Sequence, residues 1–169
     1  MSRNGPSRTQ GGLRQRAASG AEQTSDEEQR KLDSRRTSSL RLTVQKALPL
    51  MTAGASIILT GSSTGVMGTP QFSVSSATKA AIRNLARNWA LDLRGTGIRV
   101  NVLSPGPTKT ELALEVVGEE AFNALGSTTP LGRVGDPTET GAVAAFLASA
   151  DSSFMTGGEV FVDGGLAQV

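Results

Sequence analysis

Ile57-Ile58-Leu59 is apolar without alternation, and it is followed by a long helix-periodic segment and then a second apolar run. This order constrains the fold more than any other feature of the chain. A strand that is apolar at every position is buried on both faces, as in a parallel sheet covered by helices. Between the two runs, Ala77, Ala81, Leu85 and Trp89 recur every fourth residue. Ile82, Ala86, Ala90 and Leu93 widen that stripe, while Arg83, Arg87 and Arg94 fall mostly outside it. The pattern predicts an amphipathic helix over 73–94, stopped by Gly95-Thr96-Gly97. Ile98, Val100, Val102 and Leu103 then form a second strand, which a right-handed crossover returns parallel to the first.

The flanking segments extend this unit. Apolar residues at 40, 44, 47 and 48 fit a helix ending near Pro49. Gly61, Gly65, Gly68 and Pro70 make a loop after the first strand, and Ser104-Pro105-Gly106-Pro107 ends the second. Residues 108–132 read as helical in pieces. Asp136-Pro137-Thr138-Glu139 has the cap, the first-turn proline and the third-position glutamate of a helix start, and that helix should reach about Ala150. A last strand spans Glu159 to Val162 and closes on Asp163-Gly164-Gly165. The expectation is an α/β fold with a parallel sheet of about three strands and helices on both faces.

The chain's 169 residues suffice for one domain with a hydrophobic core. It contains no His, no Cys and no Tyr. The first two absences exclude the usual zinc sites, cysteine nucleophiles, Ser-His-Asp triads and disulfide scaffolds. Residues 1–46 hold ten basic and five acidic side chains, whereas 47–169 hold seven and ten, so a basic head precedes a mildly acidic body. Residues 1–39 are polar, with apolar positions too sparse for a core face, and are expected to be disordered or weakly helical. A transit peptide is argued against by Asp26-Glu27-Glu28. No aromatic residues interleave with the basic ones, which disfavours nucleic acid as a partner. No apolar run reaches the ~18 residues of a membrane span, and the first residues lack a signal peptide's apolar stretch. A cytoplasmic location without membrane partners is therefore expected.

Several strings resemble the short-chain dehydrogenase/reductase family: TVQKALPLM, SIILTGSSTG, SATKAAIRNLARNWALDL, GIRVNVLSPGPTKT, PLGRVGDPTETGAVAAFLAS and TGGEVFVDGG. They agree in order and spacing over about residues 42–169. The resemblance implies the C-terminal part of a truncated Rossmann-like, doubly wound domain over 40–169. It also implies hydride transfer between NAD or NADP and a small-molecule carbonyl or alcohol. Ser62 matches the family's catalytic serine and Lys79 its catalytic lysine. The family's tyrosine, four residues before the lysine and thirteen after the serine, falls on Ser75. Pro105 and Gly106 match the loop beside the nicotinamide, and Thr108 and Thr110 fall where that loop meets the carboxamide. Lys79 is also the ribose-binding position. The helices over 40–50 and 73–94 match the family's dimer helices, implying a homo-oligomer. Trp89 and Leu85 fit either the core or that interface.

The departures from the family are specific. Its assisting asparagine would fall near Arg35 or Arg36, where there is no Asn. Gly11-Gly12 has neither the preceding strand nor the following apolar helix of a dinucleotide fingerprint. Position 75 matters most. Residues 75 and 79 lie one helical turn apart, so a lysine ammonium at 79 would lower the pKa of a phenol at 75 from its usual ~10. A serine hydroxyl is shorter and far less acidic, Ser73 and Ser76 share that defect, and the chain has no tyrosine to replace it. General acid–base assistance is worth ~10²–10⁴ in rate, about 3–5 kcal/mol of barrier. Two readings follow: an impaired oxidoreductase, or a non-catalytic remnant that pairs with itself or with a full-length relative.

Overall fold

The computed structural model describes Lys31, Arg35 and residues 37–70 and 72–169. Most of the head expected to be disordered, including Gly11-Gly12, lies outside the described residues. Lys31 and Arg35 are helical, and residues 37–47 form helix α1. A 3₁₀ turn, Leu48–Leu50, follows with Pro49 inside it. Strand β1 is Ser56–Thr60, helix α2 is Ser73–Asp92 and strand β2 is Arg99–Pro105. Helices α3 (Glu111–Val117) and α4 (Glu119–Ser127) are short. Helix α5 is Pro137–Ala148 and strand β3 is Glu159–Val162. The strands form one parallel sheet in the order β1-β2-β3.

The second strand runs two residues further than its sequence suggests. Ser104 and Pro105 pair with Phe161 and Val162 of β3. A proline is tolerated in this central strand because of where its missing N–H would point. The β1–β2 ladder ends where the Gly61 N–H donates to Leu103 O at 2.8 Å, so the β1-facing side of Pro105 lies beyond the last rung and loses no bond.

One face of the sheet carries the core. Ile57 and Leu59 pair in register with Val100 and Val102, and all four pack with Val44 of α1 and Ile82 and Ala86 of α2. Burial of each large side chain contributes roughly 1.5–3 kcal/mol. Trp89 and Leu93 are half-buried against this cluster. The opposite face receives α5, whose Leu147 is fully buried, and the Ser56 hydroxyl donates to Leu147 O at 2.7 Å. The expected cap of α5 is present: Asp136 Oδ1 accepts from Thr138 N at 2.8 Å and Glu139 Oε2 accepts from Asp136 N at 2.7 Å. Arg133 forks onto both Glu139 oxygens at 2.6 and 2.8 Å, and these donors hold the Glu139 carboxyl down at about 2.

The hydrogen-bond register fixes which way β1 faces. Arg99 N donates to Ala55 O and Gly61 N to Leu103 O. In a parallel ladder one residue's N–H and C=O point to the same neighbour, and the side alternates along the strand. Residues 57 and 59 therefore bond β2, while the N–H and C=O groups of Ser56, Ile58 and Thr60 point to the outer edge. No described strand pairs with that edge.

Candidate active site

The three strands end on the same side of the sheet, so the loops after β1 and β2 share one rim. Two glycines close the first loop down. A Cβ on Gly61 would overlap Ser104 Oγ and lie 2.7 Å from Val102 Cγ1, and one on Gly65 would sit 3.2 Å from the backbone of Lys79. The 3₁₀ turn Ser63–Gly65 thereby lies directly on α2 at the level of Lys79.

Ser62 begins that turn in extended conformation. Its Oγ accepts from Thr64 N at 3.3 Å and from Thr64 Oγ1 at 3.0 Å. Both lone pairs are thus engaged, and the hydroxyl proton is what it can offer a carbonyl oxygen. Lys79 donates from Nζ to Thr60 O at 3.1 Å, an acceptor on the outer edge of β1. Ser75 and Lys79 line a cavity of about 230 Å³ with Leu40, Thr60, Thr78 and Ile82. The neighbouring Ser76 hydroxyl is buried and has no hydrogen-bond partner among the described residues.

The second loop stands on β3. Gly106 N donates to Val162 O at 3.0 Å, and a Cβ at this position would lie 2.5 Å from Asp163 Cβ. Only glycine lets the chain leave β2 there without displacing β3. The Thr108 hydroxyl donates to Gly106 O at 3.1 Å. Thr110 Oγ1 caps α3 by accepting from Ala113 N at 3.1 Å, so part of its polarity is already committed to the helix. Of the residues picked from sequence, Ser75 and Lys79 share one cavity. Ser62 stands on the turn that packs against Lys79. Pro105, Gly106 and Thr108 form the adjoining rim.

Other polar residues of the sheet are not singled out by sequence. Thr60 contributes only its carbonyl, which side-chain chemistry cannot reveal. Glu159 sits at the start of β3 with a nearly buried side chain. It accepts from Ser104 Oγ at 2.6 Å and approaches Arg83 at 3.8 Å. A carboxylate opening an apolar strand next to a double glycine was the available signal. Arg99 and Asn101 are buried polar residues in the central strand. Among the described residues, no cluster of ligating side chains could hold a metal, and no helix is long and apolar enough to cross a membrane.

The sequence model of a family described as "Enoyl-(Acyl carrier protein) reductase" matches residues 10–167. Oxidoreductase asL5 of Sarocladium schorii is 61% identical over 129 residues, covering 75% of this chain and 52% of that protein. A gluconate 5-dehydrogenase from Burkholderia cenocepacia, solved with NADP and tartrate, is 39% identical with a TM-score of 0.63, covering 69% of this chain and 46% of that one. The angucycline C-6 ketoreductase LanV, solved with NADP, is 30% identical with a TM-score of 0.70, covering 75% and 49%. The chain spans about half the length of the curated relatives it matches. On sequence and fold together, it belongs to the short-chain dehydrogenase/reductase family.

Proposed function

We propose that this chain carries the carbonyl-facing half of a hydride-transfer site in which the proton-handling group has been lost. The observation that supports this is Ser75, one helical turn before Lys79 in the same cavity. In this reading the Ser62 hydroxyl holds the oxygen of a small ketone or alcohol, and Lys79 holds the ribose of NAD or NADP. The loop of Pro105, Gly106, Thr108 and Thr110 lies along the nicotinamide. The dinucleotide would supply the hydride when bound. Among the described residues no glycine-rich turn is formed for its pyrophosphate, and the assay is run at millimolar NADPH. A cytoplasmic location belongs to the same reading.

Without a phenol, the developing alkoxide must take its proton from water. The purified chain, assayed with NADPH and a panel of small ketones, is expected to show a kcat/KM about 10²–10⁴-fold below that of a phenol-bearing relative. Turnover equal to such a relative's, abolished by Lys79→Ala, would refute the reading.

A second reading, self-association, is favoured by the open edge of β1 and by apolar exposure on the two helices expected to form an interface. Leu42, Leu50 and Leu91 are 48%, 85% and 60% exposed. An uncharged, proline-free edge strand is a template for another chain. Light scattering coupled to size exclusion is expected to give a dimer or larger. A monomer that unfolds cooperatively would contradict it.

A further inference from the structure

A cavity of about 940 Å³ opens at the amino-terminal ends of the strands, opposite the Ser62–Lys79 rim. Its size is that of sites that enclose a whole small molecule. The floor is made by glycines, of which Gly54, Gly95, Gly97 and Gly157 all have positive φ. A Cβ at Gly97 would meet Ala53 at 3.1 Å, so this turn of the floor is tight enough to disfavour a side chain. The walls are apolar, with Ala90, Leu91, Leu93 and Ile98. Leu91 is 60% exposed and forms part of the cavity wall.

Two arginines give the cavity its sign. Arg87 on α2 and Arg94 in the turn that follows it both line the cavity, and both are exposed. Neither is in an ion pair with a described residue. No Asp or Glu lines the cavity. Asp92, the acidic residue nearest to Arg94 in the chain, instead lines a separate groove with Arg41. The third guanidinium, Arg99, is buried and spent on carbonyls. Two cations without an ion pair among the described residues, set above an apolar trough, match one ligand chemistry: an anionic head on an apolar body.

We propose that this cavity binds a small anionic amphiphile, with a phosphate or carboxylate held between Arg87 and Arg94 and an alkyl or acyl portion along Leu91, Leu93 and Ile98. The site is independent of the carbonyl-facing rim and stands or falls separately from it. Calorimetric titration of the full chain with decyl phosphate, below its micelle concentration, is the test. Decanol and inorganic phosphate separate the contributions of tail and head. Saturable binding of decyl phosphate is expected, at least tenfold tighter than either control. Arg87→Gln with Arg94→Gln should weaken it tenfold or more while leaving the far-ultraviolet spectrum and the urea midpoint unchanged, since both side chains are exposed. Absence of binding, equal binding of decanol, equal binding of inorganic phosphate, or full retention in the double variant would each overturn the assignment.

Discussion

A chain carrying Ser75→Tyr is expected to reduce small ketones with a kcat/KM about 10²–10⁴-fold above the parent's, assayed at millimolar NADPH. The argument starts from placement. Position 75 is one turn before Lys79, and both line the same cavity of about 230 Å³, which gives a larger side chain room. Lys79 is anchored to Thr60 O at 3.1 Å, so its charge sits at a fixed place beside that cavity. A phenol there would lie within reach of a cation and would ionise more readily. It could then pass a proton to the oxygen that Ser62 is free to hold. Serine fails on acidity and on length alike. Ser75→Phe, which fills the space without an acidic proton, should leave the rate at the parent's level. Equal rates for the tyrosine and phenylalanine variants would show that packing, and not proton transfer, limits the site.

The second large effect concerns stability. Arg99→Met is expected to cost about 3–4 kcal/mol, because hydrogen bonds from a charged donor are worth ~1.5–3 kcal/mol each and the acceptors left behind are buried. Arg99 begins β2 and is 9% exposed. Its Nη1 donates to Ser152 O and Oγ at 3.0 and 2.8 Å, and its Nη2 to Leu147 O and Ser149 O, each at 3.1 Å. These carbonyls close the C-terminal end of α5, where a cation also complements the helix dipole. One planar fork thus ties the sheet to the helix on its second face. Arg99→Lys keeps the charge but not the fork and should recover only part of the loss. Urea denaturation followed by Trp89 fluorescence measures both. A loss below about 1 kcal/mol for the methionine variant would mean that water replaces the guanidinium, in keeping with the low net worth of solvated pairs.

The sequence made the scaffold legible wherever a local rule and the tertiary environment agreed. The period of Ala77, Ala81, Leu85 and Trp89 set α2, and Asp136-Pro137 set the start of α5. Ile57-Ile58-Leu59 and Glu159 to Val162 marked their strands because buried strands need apolar runs. The end of β2 is hidden in the sequence because Pro105 reads as a breaker. Only the register shows that its missing N–H falls past the last β1 rung. Spacing was enough to place Ser75 and Lys79 on one face. It could not reveal that the Lys79 ammonium donates to a backbone carbonyl, or that Thr110 Oγ1 accepts the capping bond of α3. Arg99 carries no mark in the sequence, since nothing local distinguishes a guanidinium that satisfies carbonyls some fifty residues away.

The central claim is that positions 75 and 79 still form a proton-handling pair lacking only its phenol. The chain contains no tyrosine, so Ser75→Tyr introduces a single phenol whose ionisation can be followed by absorbance at the tyrosinate band without cofactor or substrate. The midpoint should fall about one to two pH units below the ordinary ~10 and return to it when Lys79→Met is added. A midpoint at the ordinary value, indifferent to Lys79→Met, would contradict the account.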